Sequence, residues 1–435
     1  MFDTKTDNSG QDIYKLIEKL FPVCRSITGN GVRETLAQVK QHIAVDIKEV
    51  PSGTKVFDWT VPREWNVDDA YIKDSTGNRI VDFRSNNLHL VSYSVPVNKK
   101  MNLEELKEHL HTDPDHPEWI PYRTSYYNET WGFCLSQNQF QQLSDDEYEV
   151  RVDSRLENGS LTYGEYFLPG TTDEEILFFT HLCHPSLCND NLSGIALTTF
   201  LAKLVESQET RYSYRFVFAP ATIGSITWLS QNEKKLGKIK HGLVVAVVGD
   251  SGPMTYKRTR AGNAEIDRAV IQVLRDSGDE HEILEFSPYG YDERQFCSPG
   301  INLSVGRLTR TPNGCYPEYH TSADNLNLVK AEALRDSLEK YLKVLEVLES
   351  NRTYINMSPK GEPQLGKRGL YRTTGGHQDI ATRNLAMLWI LNQSDGNHSL
   401  LDISEKSGLP YQTLIHAIRD LSECGLIEES SLHQR

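Results

Sequence analysis

Between residues 174 and 350, short apolar runs alternate with amphipathic segments, and this alternation constrains the fold more than any other feature of the chain. "EILFFT" has the pattern of a buried strand and "SGIALTTFLAKLVES" that of a helix. "YRFVFAP", "GLVVAVVG" and "INLSVGRL" continue the strand series, with helical patterns near "IGSITWL" and over "AEIDRAVIQVLRDSG" and "LVKAEALRDSLEKYLKVLEVLES". Strands joined by crossover helices predict an α/β fold, a mostly parallel sheet with helices on both faces. Such sheets bind ligands beyond the carboxyl ends of their strands.

The flanks differ. Residues 11–45 predict two helices around "SITGNG". From about Lys55 to Leu168, alternating runs such as "KVFDWTV", "RIVDF" and "EYEVRV" are separated by the turn signals "STGN" and "ENGS". That is the signature of an antiparallel β unit. Four regions are expected: 1–50 with 170–355 as the sheet domain, 51–169 as a β-rich insertion, 356–380 as a linker, and 381–435 as a C-terminal domain. The last, "LLDISEKSGLPYQTLIHAIRDLSECGLI", has the helix, turn and helix of a winged helix-turn-helix. From Leu400 to Arg435 it carries three Lys and Arg against six Asp and Glu. Phosphate recognition needs the opposite balance. Dimerisation, or docking onto the rest of the chain, is the better expectation for this block.

A net charge of -14 likewise speaks against a nucleic-acid or anionic-membrane surface. No secretory leader or membrane-length apolar run is visible, and seven scattered cysteines do not make a disulfide framework. The expectation is a cytoplasmic protein.

The strand ends carry the chemistry. The first, "ILFFTHLCHPSLCNDNLSG", supplies His181, His184 and Asp190; "VVGDSG" supplies Asp250; "TRTPNGCYPEYHTSADN" supplies Glu318, His320 and Asp324. "YGYDERQF" adds Asp292, Glu293 and Arg294. Histidines and carboxylates converging from several strands suit a catalytic zinc, which takes imidazole and carboxylate ligands and makes water a nucleophile at neutral pH. Each residue alone has a plainer role: Asp190 and Asn191 could cap the helix that follows, and His320 could be a loop histidine. Their joint placement favours a metal.

These motifs, "THLCHPSLCNDNLSG", "APATIGS", "VVGDSG", "DERQF" and "EYHTSADN", occur in the order found in the zinc aminopeptidase superfamily, which includes the glutaminyl cyclases. More closely, the chain resembles bacterial aminopeptidase-like proteins associated with polysaccharide biosynthesis, with a β-rich insertion and a C-terminal winged helix. The resemblance implies that His181 is the first metal-binding histidine and Asp190 the aspartate that bridges two metals in dinuclear members. It implies Asp250 as the carboxylate ligand after the third strand, His320 as the last histidine, and Asp292 as an acid lining the site. Relatives usually place an aspartate where this chain has Cys183, so His184 is either a substitute ligand or a packing residue beside Pro185.

One departure limits the expectation. The superfamily puts a glutamate base and a metal-binding carboxylate at the second strand end, where this chain has Ala221 and Thr222. Alanine takes no proton, and threonine is a weak zinc ligand. One zinc ion per chain is therefore expected, with Glu293, Glu318 or Asp292 as substitute acid–base groups. Arg258, Arg260, Arg307 and Arg310 gather near the strand ends and would suit an anionic substrate group, or else form salt bridges. The expected activity is hydrolysis of an amide or peptide bond in a small peptide or amino-acylated substrate. The alternative is a catalytically degenerate protein that binds metal and ligand.

Overall fold

The fold is that of a computed structural model describing residues 8–126, 128–370 and 377–430. Residues 371–376, within the expected linker, lie outside the described residues, as do 1–7, 127 and 431–435. The chain divides into two compact units.

The larger unit comprises residues 8–262 and 282–339 of the described chain. Its centre is an eight-stranded sheet in the order Asp46–Pro51, Ser160–Leu168, Ser213–Ala219, Glu175–His181, Ile239–Val245, Val305–Thr309, Met254–Lys257, His281–Leu284. The expectation of a mostly parallel sheet is met in part, because the sheet is mixed. Only Ser213–Ala219, Glu175–His181, Ile239–Val245 and Val305–Thr309 run parallel to one another. Ser160–Leu168 pairs antiparallel with both of its neighbours, and Met254–Lys257 runs antiparallel to Val305–Thr309. The connections explain this. The chain leaves the sheet through Asp46–Pro51 and returns through Ser160–Leu168, as the two stems of the insertion. Val245 and Met254 are too close in sequence for the dozen or more residues of a parallel crossover.

The four central strands are apolar and almost wholly buried, as strands covered on both faces must be. The helix Gly194–Glu206 packs on Glu175–His181, and Ser9–Leu20 packs on that helix. The insertion forms a four-stranded antiparallel sheet in the order Arg79–Asp82, Glu64–Lys73, Glu147–Glu157, Val97–Asn102. It shares the core of the main sheet: one buried apolar cluster runs from Trp65 and Val150 through Leu161 to Phe179, Trp228 and Phe296. Its loop at residues 120–122 reaches the functional strand ends.

The smaller unit comprises residues 263–281 and 340–430 of the described chain. Helices His377–Gln393, Leu400–Ser407 and Tyr411–Glu423 accompany a small sheet in the order Asp395–Ser399, Thr353–Asn356, Ile427–Glu429, which is a winged helix. Ser399 and Asp402 cap Leu400–Ser407 reciprocally, and left-handed Gly408 ends it. The helix Glu265–Ser277 lies between sheet strands in sequence yet belongs to this unit. Arg268 pairs with Asp402 at 2.5 Å and Glu405 at 2.7 Å, and the Tyr411 N–H donates to Asp276 at 2.8 Å.

Candidate metal centre

The run "NDNLSG" ties two strand ends together. Asn191 donates through Nδ2 to Thr180 Oγ1 and to the His181 carbonyl, both at 2.9 Å, and accepts from the Val247 N–H at 3.2 Å. Asn189 donates to Asp250 Oδ2 and accepts from the Gly249 N–H, both at 2.9 Å. Gly194 is required by space: a Cβ there would lie 2.4 Å from Asn191 Oδ1 and 2.6 Å from the Val245 carbonyl. The two asparagines thus anchor the loop, and Asp190 between them turns toward the histidines. The peptide bond after Asp190 is cis, as is that between Ala221 and Thr222.

Asp190 is fully buried and sits among three imidazoles. His181 Nε2 lies 2.8 Å from Oδ1, His320 Nε2 3.0 Å from Oδ2, and His184 Nε2 3.9 Å from Oδ2. Burial would raise this carboxyl, but His184, His181 and His320 together hold it well below the usual range. Burial also pushes His184 down to about 3, so it is neutral near pH 7. The backbone N–H groups of Asn189 and Asp190 donate to Asp324 at 2.6 and 2.9 Å. Burial raises the Asp324 carboxyl to about 7 against the pull of those donors.

Aromatic rings line the imidazoles. Tyr291 stacks on His181 at 4.9 Å and Tyr319 on His320 at 4.0 Å. Tyr122, from the insertion, meets His184 and His320 edge-on at 5.2 and 5.1 Å, and its N–H donates to the His320 carbonyl at 2.7 Å. Flanking contacts between Ile120 and Ser322 extend this strap. His320 is held at φ 57, a left-handed conformation that a side chain adopts only under support.

The structure therefore brings together His181, His184, Asp190 and His320. Asp250 is not among them. Its oxygens accept from Asn189 Nδ2, from the Gly252 N–H at 2.7 Å, and from Thr311 Oγ1 at 2.6 Å and its N–H at 3.3 Å. Asp292 is buried with one oxygen on Ser225 Oγ at 2.6 Å and the other without a partner. Burial raises it to about 6, against the opposing influence of the His181 imidazole and the Ser225 hydroxyl. Glu293 faces away to Lys257 at 2.9 Å, with Arg307 at 3.7 Å. Glu318 uses its carbonyl to accept from the Thr321 N–H and hydroxyl.

The four arginines separate. Arg310 is a structural clamp, bonded to the carbonyls of Gly252 and Ala333, to Ser337 and to Asp336. Arg258 pairs with Glu285, and exposed Arg260 bonds Asn302. Arg307 alone approaches the centre, over the ring of Tyr291 at 5.3 Å and bonded to Asn313 at 2.9 Å. Sequence reasoning missed Tyr122 and Arg25, which come from segments without a motif, and Tyr291, which stands just before Asp292 in "YGYDERQF". Buried Arg25 donates to the His184 carbonyl at 3.0 Å and the Leu20 carbonyl at 2.8 Å. The glycine-rich turn after it, in "CRSITGNG", was the one visible hint of a close approach.

The residues fit a zinc ion. Donor atoms of His181, His184 and Asp190 lie within 4.8 Å of one another, and His320 reaches the same carboxylate. Three imidazoles around a buried carboxylate are the nitrogen and oxygen donors zinc prefers. His181 Nδ1 is buried without a partner, so its Nε2 is the nitrogen that faces the cluster.

Residues 14–351 match the family described as a domain of unknown function (DUF4910), and residues 352–429 match winged helix-turn-helix. A Clostridium acetobutylicum protein named as a candidate polysaccharide biosynthesis protein with an aminopeptidase-like domain is 57% identical, covering 97% of each chain. A crystal structure of a candidate peptidase from the same organism superposes with a TM-score of 0.93 at 56% identity, covering 97% of this chain and 98% of that one. A zinc aminopeptidase from Bacillus subtilis shares the fold at 12% identity, with a TM-score of 0.58 over 80% of this chain and 96% of its own. The chain belongs to the DUF4910 family, with an aminopeptidase-like α/β fold followed by a winged helix.

Proposed function

We propose that the protein is a zinc-dependent hydrolase of an amide or peptide bond, acting on a small peptide or amino-acylated substrate. The observation that carries this reading is the convergence of His181, His184 and His320 on buried Asp190. His181, Asp190 and His320 would hold one zinc ion, which supplies Lewis-acid polarisation of a carbonyl and lowers the pKa of water. The surrounding residues would do the rest. Tyr122, Tyr291 and Tyr319 wall the imidazoles and limit solvent access. Asp292, beside His181 with one unpartnered oxygen, is the best placed of the three expected acids to accept a proton. Neither Glu293, tied to Lys257, nor Glu318 has that placement. The work of the C. acetobutylicum relative, as its name describes it, suggests a substrate from polysaccharide assembly.

The test is Asp292→Asn in zinc-loaded protein, assayed on a panel of aminoacyl anilides. Loss of a general base predicts a drop of about 10²- to 10⁴-fold with zinc content retained. An unchanged rate would remove Asp292 from the chemistry. Ala221 favours a second reading, a site that holds metal and ligand without efficient turnover. Full zinc loading with no hydrolysis across the panel would select it.

A further inference from the structure

His184 stands three residues beyond His181, and three contacts fix it. Arg25 Nε holds its carbonyl at 3.0 Å, Tyr122 meets its ring at 5.2 Å, and Cys183 Sγ lies 3.5 Å from its Nδ1. The sulfur is itself placed by the second strand end. The Ala221 N–H donates to it at 3.4 Å, and its S–H reaches the Ala221 carbonyl at 3.8 Å. With the single S–H directed to Ala221, the sulfur lone pairs remain to accept from His184. Nδ1–H then donates to sulfur, and the Nε2 lone pair faces Asp190.

Resting on the zinc reading above, we propose that His184 is a third imidazole ligand and that Cys183 is its positioning residue. The centre becomes three imidazoles and one carboxylate for a single divalent ion. Asp250 and Asp324 are spent on loop donors, and Thr222 is not a carboxylate. His181 Nδ1 is left buried and unpartnered, and Cys183 orients His184. Ala221 contributes its peptide group to hold the sulfur.

The test compares zinc affinity of the full chain with that of Cys183→Val, Cys183→Ser and His184→Ala, and records the visible spectrum of each after cobalt substitution. Removing a partner that orients a metal-bound histidine costs about 10- to 100-fold in affinity. Cys183→Val is expected to lose that much, Cys183→Ser to recover most of it through its hydroxyl, and His184→Ala to lose at least as much as the valine variant. Wild-type affinity in Cys183→Val or His184→Ala would overturn the proposal and leave the zinc reading intact. A sulfur-to-cobalt charge-transfer band would also overturn it, by making Cys183 a ligand. Absence of zinc from the wild type would sink the underlying reading first, and this proposal with it.

Discussion

Replacing Ala221 with glutamate in the Asp292→Asn background is expected to raise amide hydrolysis by the zinc-loaded protein by about 10²- to 10⁴-fold, the usual worth of a positioned general base. Ala221 lies directly after the strand Ser213–Ala219 and Pro220, and its peptide group touches the Cys183 sulfur one residue from His184. It is only half-buried, so a longer side chain has room to leave the backbone. A carboxylate placed there would take the proton of an attacking water, which alanine cannot do. The measurement is kcat/KM on aminoacyl anilides, with Asp190→Asn in the same background to subtract any route that bypasses the centre. A gain within threefold in protein that retains zinc would mean that the site has moved to other chemistry.

The second large effect concerns stability. Arg215, on the strand Ser213–Ala219, is the hub of a buried ion cluster under the main sheet. It meets Glu175 through Nε at 2.6 Å and Nη2 at 2.9 Å, and it also pairs with Glu165, whose other oxygen accepts from Trp228 Nε1 at 2.8 Å. Arg215→Met fills the volume but strands two carboxylates beside each other without a countercharge. Breaking a buried pair in this way costs about 3–5 kcal/mol, read as a lower denaturant midpoint at unchanged slope. The triple variant Arg215→Met, Glu165→Gln, Glu175→Gln should recover part of the loss. Equal midpoints for wild type and Arg215→Met would show that the cluster contributes nothing net.

The gathering of His181, Asp190 and His320 was legible because its signals are local. His181 and Asp190 fall within one strand-loop-helix passage, and His320 ends a loop of turn residues. Asp250 misled because a carboxylate after a strand serves equally well as a ligand or as a loop anchor. Only its partners, Asn189, Gly252 and Thr311, decide between these roles. The arginines, left open between a substrate group and salt bridges, show the same ambiguity. Arg310 and Arg307 are three residues apart in sequence, yet one clamps a helix and the other stacks on Tyr291. Tyr122 and Arg25 were invisible because they reach the centre from remote segments, and the pairing of residues 120–122 with 320–322 leaves no periodic trace. The sheet direction was overextended from the four strands that obey the crossover rule to their neighbours, which do not.

The central claim is that these residues hold a metal, and the most direct measurement is the zinc content of the purified full-length chain beside Asp190→Asn. About one zinc per chain, lost in the variant, is the predicted result for an open site with imidazole and carboxylate donors. A wild type that takes up no zinc when it is supplied, or an Asp190→Asn variant that binds it equally well, would contradict the account.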